Sequence, residues 1–239
     1  MRKMFLLLLM APLFAAAQSP TVVGAERYFP KADKVQEFEK ALTAHIQKFH
    51  SGDWKWRVYD IQTGPDAGGY HIVEGPKTWA EFDKRGNLGA DHMNDWNKNV
   101  AIYVTDRYSF SYSEFREDLS TVQLTAFTDK ISITHVFPKV GMGNEVESDI
   151  NKFKKVWAAG NQTVAVYNSV ASGPSQYALV YRLKDGLSEF QTGYRKPTKE
   201  RYDAVNGEGT YEIFLEHINK STESAWSEIL SYRADLSAK

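Results

Sequence analysis

The 239-residue sequence has no cysteine. That excludes a disulfide framework, a thiolate-held metal, an iron–sulfur cluster and a cysteine nucleophile. It has almost no net charge, with 29 lysines and arginines against 30 aspartates and glutamates. A nucleic-acid binder would carry a basic excess, so that partner class is not expected. After the N-terminal segment no run is apolar for long enough to cross a bilayer. The G-x-G-x-x-G, Walker, G-x-S-x-G and H-E-x-x-H signatures are missing, and with them the standard nucleotide, serine-hydrolase and zinc-protease readings. What is present is an ordinary globular composition, 42% hydrophobic and 25% charged, long enough for one large domain or two smaller ones.

The N-terminus has the layout of an export signal. Arg2 and Lys3 are basic, Phe5 to Phe14 is apolar apart from Pro12, and Ala15-Ala16-Ala17 forms an A-x-A cleavage site. The apolar run is short for a membrane span. Residues 1–17 are therefore expected to be a signal peptide, with the mature chain starting at Gln18 and the protein periplasmic or secreted.

The remaining chain repeats itself. Phe29-Pro30-Lys31 returns as Phe137-Pro138-Lys139, Val58-Tyr59 as Val166-Tyr167, and Glu81-Phe82 as Glu189-Phe190, all at one offset. Gly64-Pro65 matches Gly173-Pro174, and Tyr70 matches Tyr177. Arg116 and Asp118-Leu119-Ser120 return as Arg233 and Asp235-Leu236-Ser237, with the added spacing placed around Arg195 to Gly209. The shared order predicts two copies, 18–120 and 126–237.

Each copy reads β-α-β-β-α-β. In the first, Val22 to Phe29 is a strand. Asp33 is placed to cap a helix whose stripe is Val35, Phe38, Leu42, Ile46 and Phe49. Trp54 to Ile61 and Tyr70 to Glu74 form a hairpin. Thr78 and Glu81 have capping-box spacing before a second helix, broken at Gly86 to Gly89 and resumed after Asp91. Tyr108 to Arg116 is the fourth strand. In the second copy Lys130 to Phe137, Gln162 to Ser169, Tyr177 to Arg182 and Ala225 to Arg233 are strands. Val146, Ile150, Phe153 and Trp157 line a helix. A further helix starts near Gly186 and continues through Thr210 to Thr222, although Tyr211 to Leu215 also reads as a strand. This is the ferredoxin-like order. Such a sheet has one face bare of helices, and the expected remedy is to pack the two bare faces together within the chain.

The paired copies, the Phe-Pro-Lys ending of the first strand, the Gly-Pro hairpin and the helix starts Trp79-Ala-Glu81-Phe82 and Leu187-Ser-Glu189-Phe190 resemble the dimeric α+β barrel superfamily. That superfamily includes antibiotic-biosynthesis-type monooxygenases, NIPSNAP-like proteins and haem-handling enzymes. The resemblance implies an α+β fold of two tandem ferredoxin-like units packed sheet to sheet. It also implies a ligand held between the sheets, and it leaves open a cofactor-independent or haem-dependent monooxygenase-like enzyme. The chain would be a monomer with a pseudo-two-fold axis, or a higher oligomer.

Strand periodicity chooses the inward residues. Trp56 and Val58 match Val164 and Val166 and suit the helix-packed face, which turns Lys55, Arg57 and Tyr59 inward with Thr163, Ala165 and Tyr167. Arg57, Tyr59, His71 and Tyr167 are the candidate ligand-binding residues, through hydroxyl hydrogen bonds and a guanidinium fork. Plain aromatic packing explains the repeated tyrosine as well. A small molecule is the expected partner. No cofactor, catalytic residue or metal site is indicated. Of the six histidines none repeats. His45 takes the place of Phe153 and reads as a core residue. His92 and Asp95 share a helix face as a weak metal or acid–base pair, or as a helix start. His135 takes the place of Arg27 and reads as structural, with a haem-ligand or acid–base role open. His50 and His217 have no partner pattern.

Overall fold

The computed structural model describes residues 19–86 and 88–239, so the expected signal peptide lies outside the described residues. The first half comprises β1 (Val22–Pro30), α1 (Val35–Phe49), β2 (Trp56–Ile61), β3 (Tyr70–Lys77), α2 (Trp79–Arg85), α3 (Ala90–Asp95) and β4 (Val104–Phe115). The second comprises β5 (Lys130–Pro138), α4 (Gly143–Ala159), β6 (Val164–Val170), β7 (Tyr177–Arg182), α5 (Thr198–Asn206), α6 (Thr210–Ser221) and β8 (Thr222–Tyr232). The strands close into one antiparallel barrel in the order β1-β3-β2-β8-β5-β7-β6-β4. Read from the fourth strand of each half, the orders are β4-β1-β3-β2 and β8-β5-β7-β6.

The two sheets do not merely stack by their bare faces. Their edges pair, β2 with β8 from Tyr59↔Tyr232 to Ile61↔Leu230, and β4 with β6 from Tyr112↔Val170 to Phe115↔Tyr167. Open edges are templates for unwanted pairing, and closure removes all four. It also leaves space inside the barrel.

Helices cover the outside. Phe38, Leu42 and Ile46 of α1 are fully buried against Trp56, Val58 and Ile72. Each such side chain contributes about 1.5–3 kcal/mol of burial. Val146, Ile150 and Trp157 of α4 pack in the same way on Val164, Val166 and Leu179. The capping box at Thr78 and Glu81 forms as its spacing predicts.

The repeated R-x-D-L-S motif has a structural task. After β4, Arg116 chelates Glu147 of α4 with contacts of 2.7 and 2.6 Å, Tyr177 donates to that carboxylate, and the Ser120 hydroxyl accepts the Val166 N–H. After β8, Arg233 reaches Glu39 of α1 at 2.6 Å, Tyr70 donates to that carboxylate, and Ser237 accepts the Val58 N–H. Leu119 enters the core under α4 and Leu236 the core under α1. Each half thus ends by fastening itself to the other.

Several expectations are corrected. Lys34, not Asp33, precedes α1, and no side chain caps it. β4 begins at Val104 and β8 at Thr222, both earlier than expected. Gly186 starts only a short 3₁₀ turn. The region of added spacing folds as α5, with Tyr202 packed on Phe153 and Phe214; the helix expected over 210–222 is found at Thr210–Ser221, so the alternative strand at 211–215 falls away.

Candidate functional site in the barrel

The barrel interior holds a cavity of about 550 Å³ that is open to the outside. Alternate residues of each strand face it, as the two-residue strand period requires: Arg57 and Tyr59 on β2, His71 and Val73 on β3, Ser109, Ser111 and Ser113 on β4. All four sequence-predicted residues, Arg57, Tyr59, His71 and Tyr167, line it. Trp56 and Val58 lie on the opposite, helix-packed face, as do Val164 and Val166. Lys55 is instead exposed, and Thr163 lines a separate surface cleft beside Arg195.

Residues the sequence reading did not select complete the lining. Arg27 and His135, at matching positions of β1 and β5, converge on Glu228 of β8. Arg27 donates to both Glu228 oxygens at 2.5 and 3.1 Å, and His135 Nε2 lies 2.8 Å from Oε1. Arg27 also pairs with Asp66 at 2.5 Å. The other His135 nitrogen meets the Gln176 amide, and its ring stacks on Trp226 at 4.0 Å. Burial would raise the Glu228 carboxyl pKa, but the His135 and Arg27 bonds outweigh it and hold it below the usual range. For Arg27 burial opposes the charge, and Glu228 and Asp66 more than restore it.

The groups facing the space carry an excess of positive charge. Arg57 donates to the Gly75 carbonyl at 2.9 Å. Neither Arg57 nor Arg182 has a carboxylate partner among the described residues. The Arg182 Nε and the His71 Nδ1 are buried without a hydrogen-bond partner. Burial holds His71 neutral, pushing its pKa down to about 3, with Arg27 adding to the shift. Burial pushes Tyr59 up to about 12, with Arg57 and Arg182 opposing. Burial also raises Tyr167 against the pull of the same two arginines. The lining thus sets the guanidinium groups of Arg57 and Arg182 and the phenols of Tyr59 and Tyr167 beside an apolar surface of Val73, Ile131, Ile133 and Val180.

Outside the barrel, His45, His50 and His92 meet between α1, α3 and the sheet. Their spacing in the chain gives no ligand pattern beyond the His92–Asp95 pair on one helix face. His45, read as a core histidine, is indeed buried, but among polar partners, with Asp95 at 2.8 Å. His217 pairs with Asp149 at 2.6 Å, away from both places.

No protein-family model matches the sequence, and no curated protein matches it either. Solved structures do match in shape. An anthrone oxidase-like protein aligns over 90% of this chain and 92% of its own at a TM-score of 0.60 and 10% identity. A protein of Fusobacterium nucleatum, provisionally assigned as a monooxygenase, aligns over 88% of this chain and 91% of its own at 0.54 and 10% identity. Chlorite dismutase of Candidatus Nitrospira defluvii aligns over 90% of this chain and 92% of its own at 0.51 and 8% identity. At such identities the likeness is one of architecture, and it places the described chain in the dimeric α+β barrel fold.

Proposed function

We propose that this protein is an exported binding protein that holds one small, partly aromatic organic anion in the barrel, within two tandem ferredoxin-like repeats, 18–120 and 126–237. The observation that carries the reading is the cavity in which Arg57 and Arg182 stand without carboxylate partners among the described residues, beside the phenols of Tyr59 and Tyr167. A guanidinium facing a carboxylate or sulfonate forms the stronger class of hydrogen bond. A ligand acceptor at Arg182 Nε and a polar group at His71 Nδ1 would engage two atoms that have no protein partner. Export rests on the sequence of residues 1–17. The repeat reading is supported by the two strand orders and the reciprocal R-x-D-L-S contacts.

Oxygenase chemistry on the bound molecule is the second reading, motivated by the monooxygenase-type neighbours. The titrating groups favour binding instead. A histidine held near 3 and a tyrosine near 12 are poor proton shuttles at neutral pH. Haem does not fit the cavity's histidines. An axial imidazole needs one nitrogen for iron and an acceptor that orients the other. His135 has both nitrogens engaged, and the buried Nδ1 of His71 has no acceptor to orient it.

The test is a titration with anilinonaphthalene sulfonate and aromatic carboxylates, read by fluorescence and calorimetry. Saturable binding at one site is expected. Arg57→Ala should weaken it about 10–100-fold, the scale of a lost hydrogen bond to a charged group. Non-saturable binding, or binding indifferent to Arg57, would refute the reading. Oxygen uptake with quinols would move the assignment to an oxygenase.

A further inference from the structure

We propose that His45, His50 and His92 form a binding site for one divalent transition-metal ion of the zinc class, on the helix side of the first sheet and separate from the barrel cavity. His45 sits on α1, His50 directly after its last turn, and His92 on α3. The His92 Nε2 lies 3.2 Å from His45 Nε2 and 3.1 Å from His50 Nε2. Zinc–nitrogen bonds of about 2.0–2.1 Å in a tetrahedron place ligand atoms about 3.3–3.4 Å apart. Two sides of the triangle come within about 0.3 Å of that length. All three ligand nitrogens lie within 4.8 Å of one another, and a loaded tetrahedral site requires the third side to be about 3.4 Å as well.

Proton accounting shows what a cation would resolve. Asp95 Oδ2 accepts from His45 Nδ1 at 2.8 Å, so in the neutral ring the proton sits there and His45 Nε2 is a bare lone pair. The contact with His92 then needs a proton on His92 Nε2. That single proton also has to serve His50 Nε2 at 3.1 Å. If His50 supplies the proton instead, the lone pairs of His45 and His92 face each other. Only one of the two contacts can be a full hydrogen bond, and the His50 Nδ1 is buried with no hydrogen-bond partner among the described residues, the Glu74 carboxylate lying 3.9 Å away. A metal ion satisfies three converging lone pairs at once.

The supporting shell suits a metal. The Asp95–His45 bond is the carboxylate–histidine arrangement that fixes a ligand's tautomer and ring angle. Asp95 is itself held by Lys48 at 3.3 Å and Asn99 at 3.2 Å. The His50 ring stacks on Trp56 at 3.5 Å. Trp96–Val100, directly after α3, is a π-helical turn, a form frequent at functional sites. The second half provides a comparison: Phe153 stands where His45 stands in the repeat, and it packs plainly on Tyr202 and Phe214. The packing scheme therefore does not require histidine here. His50 and His92 also line an outer cleft of about 480 Å³ with Arg85, Tyr28 and Tyr108. Three imidazoles with a fourth position on a cleft are the pattern of a reactive site rather than a closed structural one.

The experiment uses the untagged full chain, stripped with chelator and titrated with Zn²⁺ by calorimetry and with Co²⁺ by visible absorption. One metal per chain is expected, with the intense blue spectrum of four-coordinate Co²⁺. His92→Ala and His50→Gln should abolish both signals. Asp95→Asn should weaken binding about 10–100-fold. A folded wild-type chain that binds no Zn²⁺, or variants that keep wild-type stoichiometry, would overturn the proposal. Should the substitutions unfold the chain, the wild-type Co²⁺ spectrum decides: a weak octahedral spectrum counts against the site, a tetrahedral one for it.

Discussion

Glu228 joins Arg27 and His135, residues that no local pattern connects to it. It is essentially fully buried, so its two partners replace the water it has lost. Glu228→Gln leaves buried cations under-compensated and should cost about 3–5 kcal/mol by denaturant unfolding. His71 gives a pH signature. Its folded pKa of about 3 lies below the unfolded value. Between about 6.5 and 3 the unfolded chain therefore binds the extra proton, and stability is lost as pH falls. The His71 share is about 1.4 kcal/mol per pH unit in that window. His71→Asn should flatten the acid limb of a stability–pH curve by about that slope, and an unchanged slope would contradict the burial. At this scale the sequence exposed what has a short period. The alternation on β2 separated Arg57 and Tyr59 from Trp56 and Val58. It gave no sign of Glu228, whose partner Arg27 is 201 positions away, nor of three histidines brought together only by the packing of α1 and α3.

The elements differ in how openly they were written. α1 carries a long apolar stripe and a clear stop. Leu42→Ala in its middle should cost about 2–5 kcal/mol, measured by chemical denaturation. The second helical region of each half was harder to place, because short pieces follow one another: α2, α3 and a π turn in one, a 3₁₀ turn, α5 and α6 in the other. Glycines at 86 and 89 announce a break but not the helix that follows. The R-x-D-L-S repeats were visible as letters, while their task was not, since each contacts the opposite half. Ending the chain at Tyr232 removes Arg233, Leu236 and Ser237 from α1, β2 and β3. That truncation should lower the melting temperature markedly, and Arg233→Ala alone by less. No change in either would mean the tail contacts carry no weight.

For the whole molecule, closure and reciprocal fastening make the halves dependent on each other. Residues 19–120 expressed alone would leave the β2 and β4 edges unpaired and lack the tail that fastens α1. Co-expression with residues 126–239 should yield a soluble complex, whereas either piece alone should aggregate or self-associate. Independent folding of both pieces as monomers would contradict the interlocked barrel. The interior that closure creates is the basis of the functional reading. Ala178 lines it near the start of β7, opposite His135 of β5. The most direct measurement compares calorimetric binding of an aromatic carboxylate to the wild-type chain and to Ala178→Trp, with thermal melts as the control for folding. Saturable binding by the wild type and none by the folded filled variant is the predicted result; equal binding by both would place the ligand outside the barrel and contradict the account.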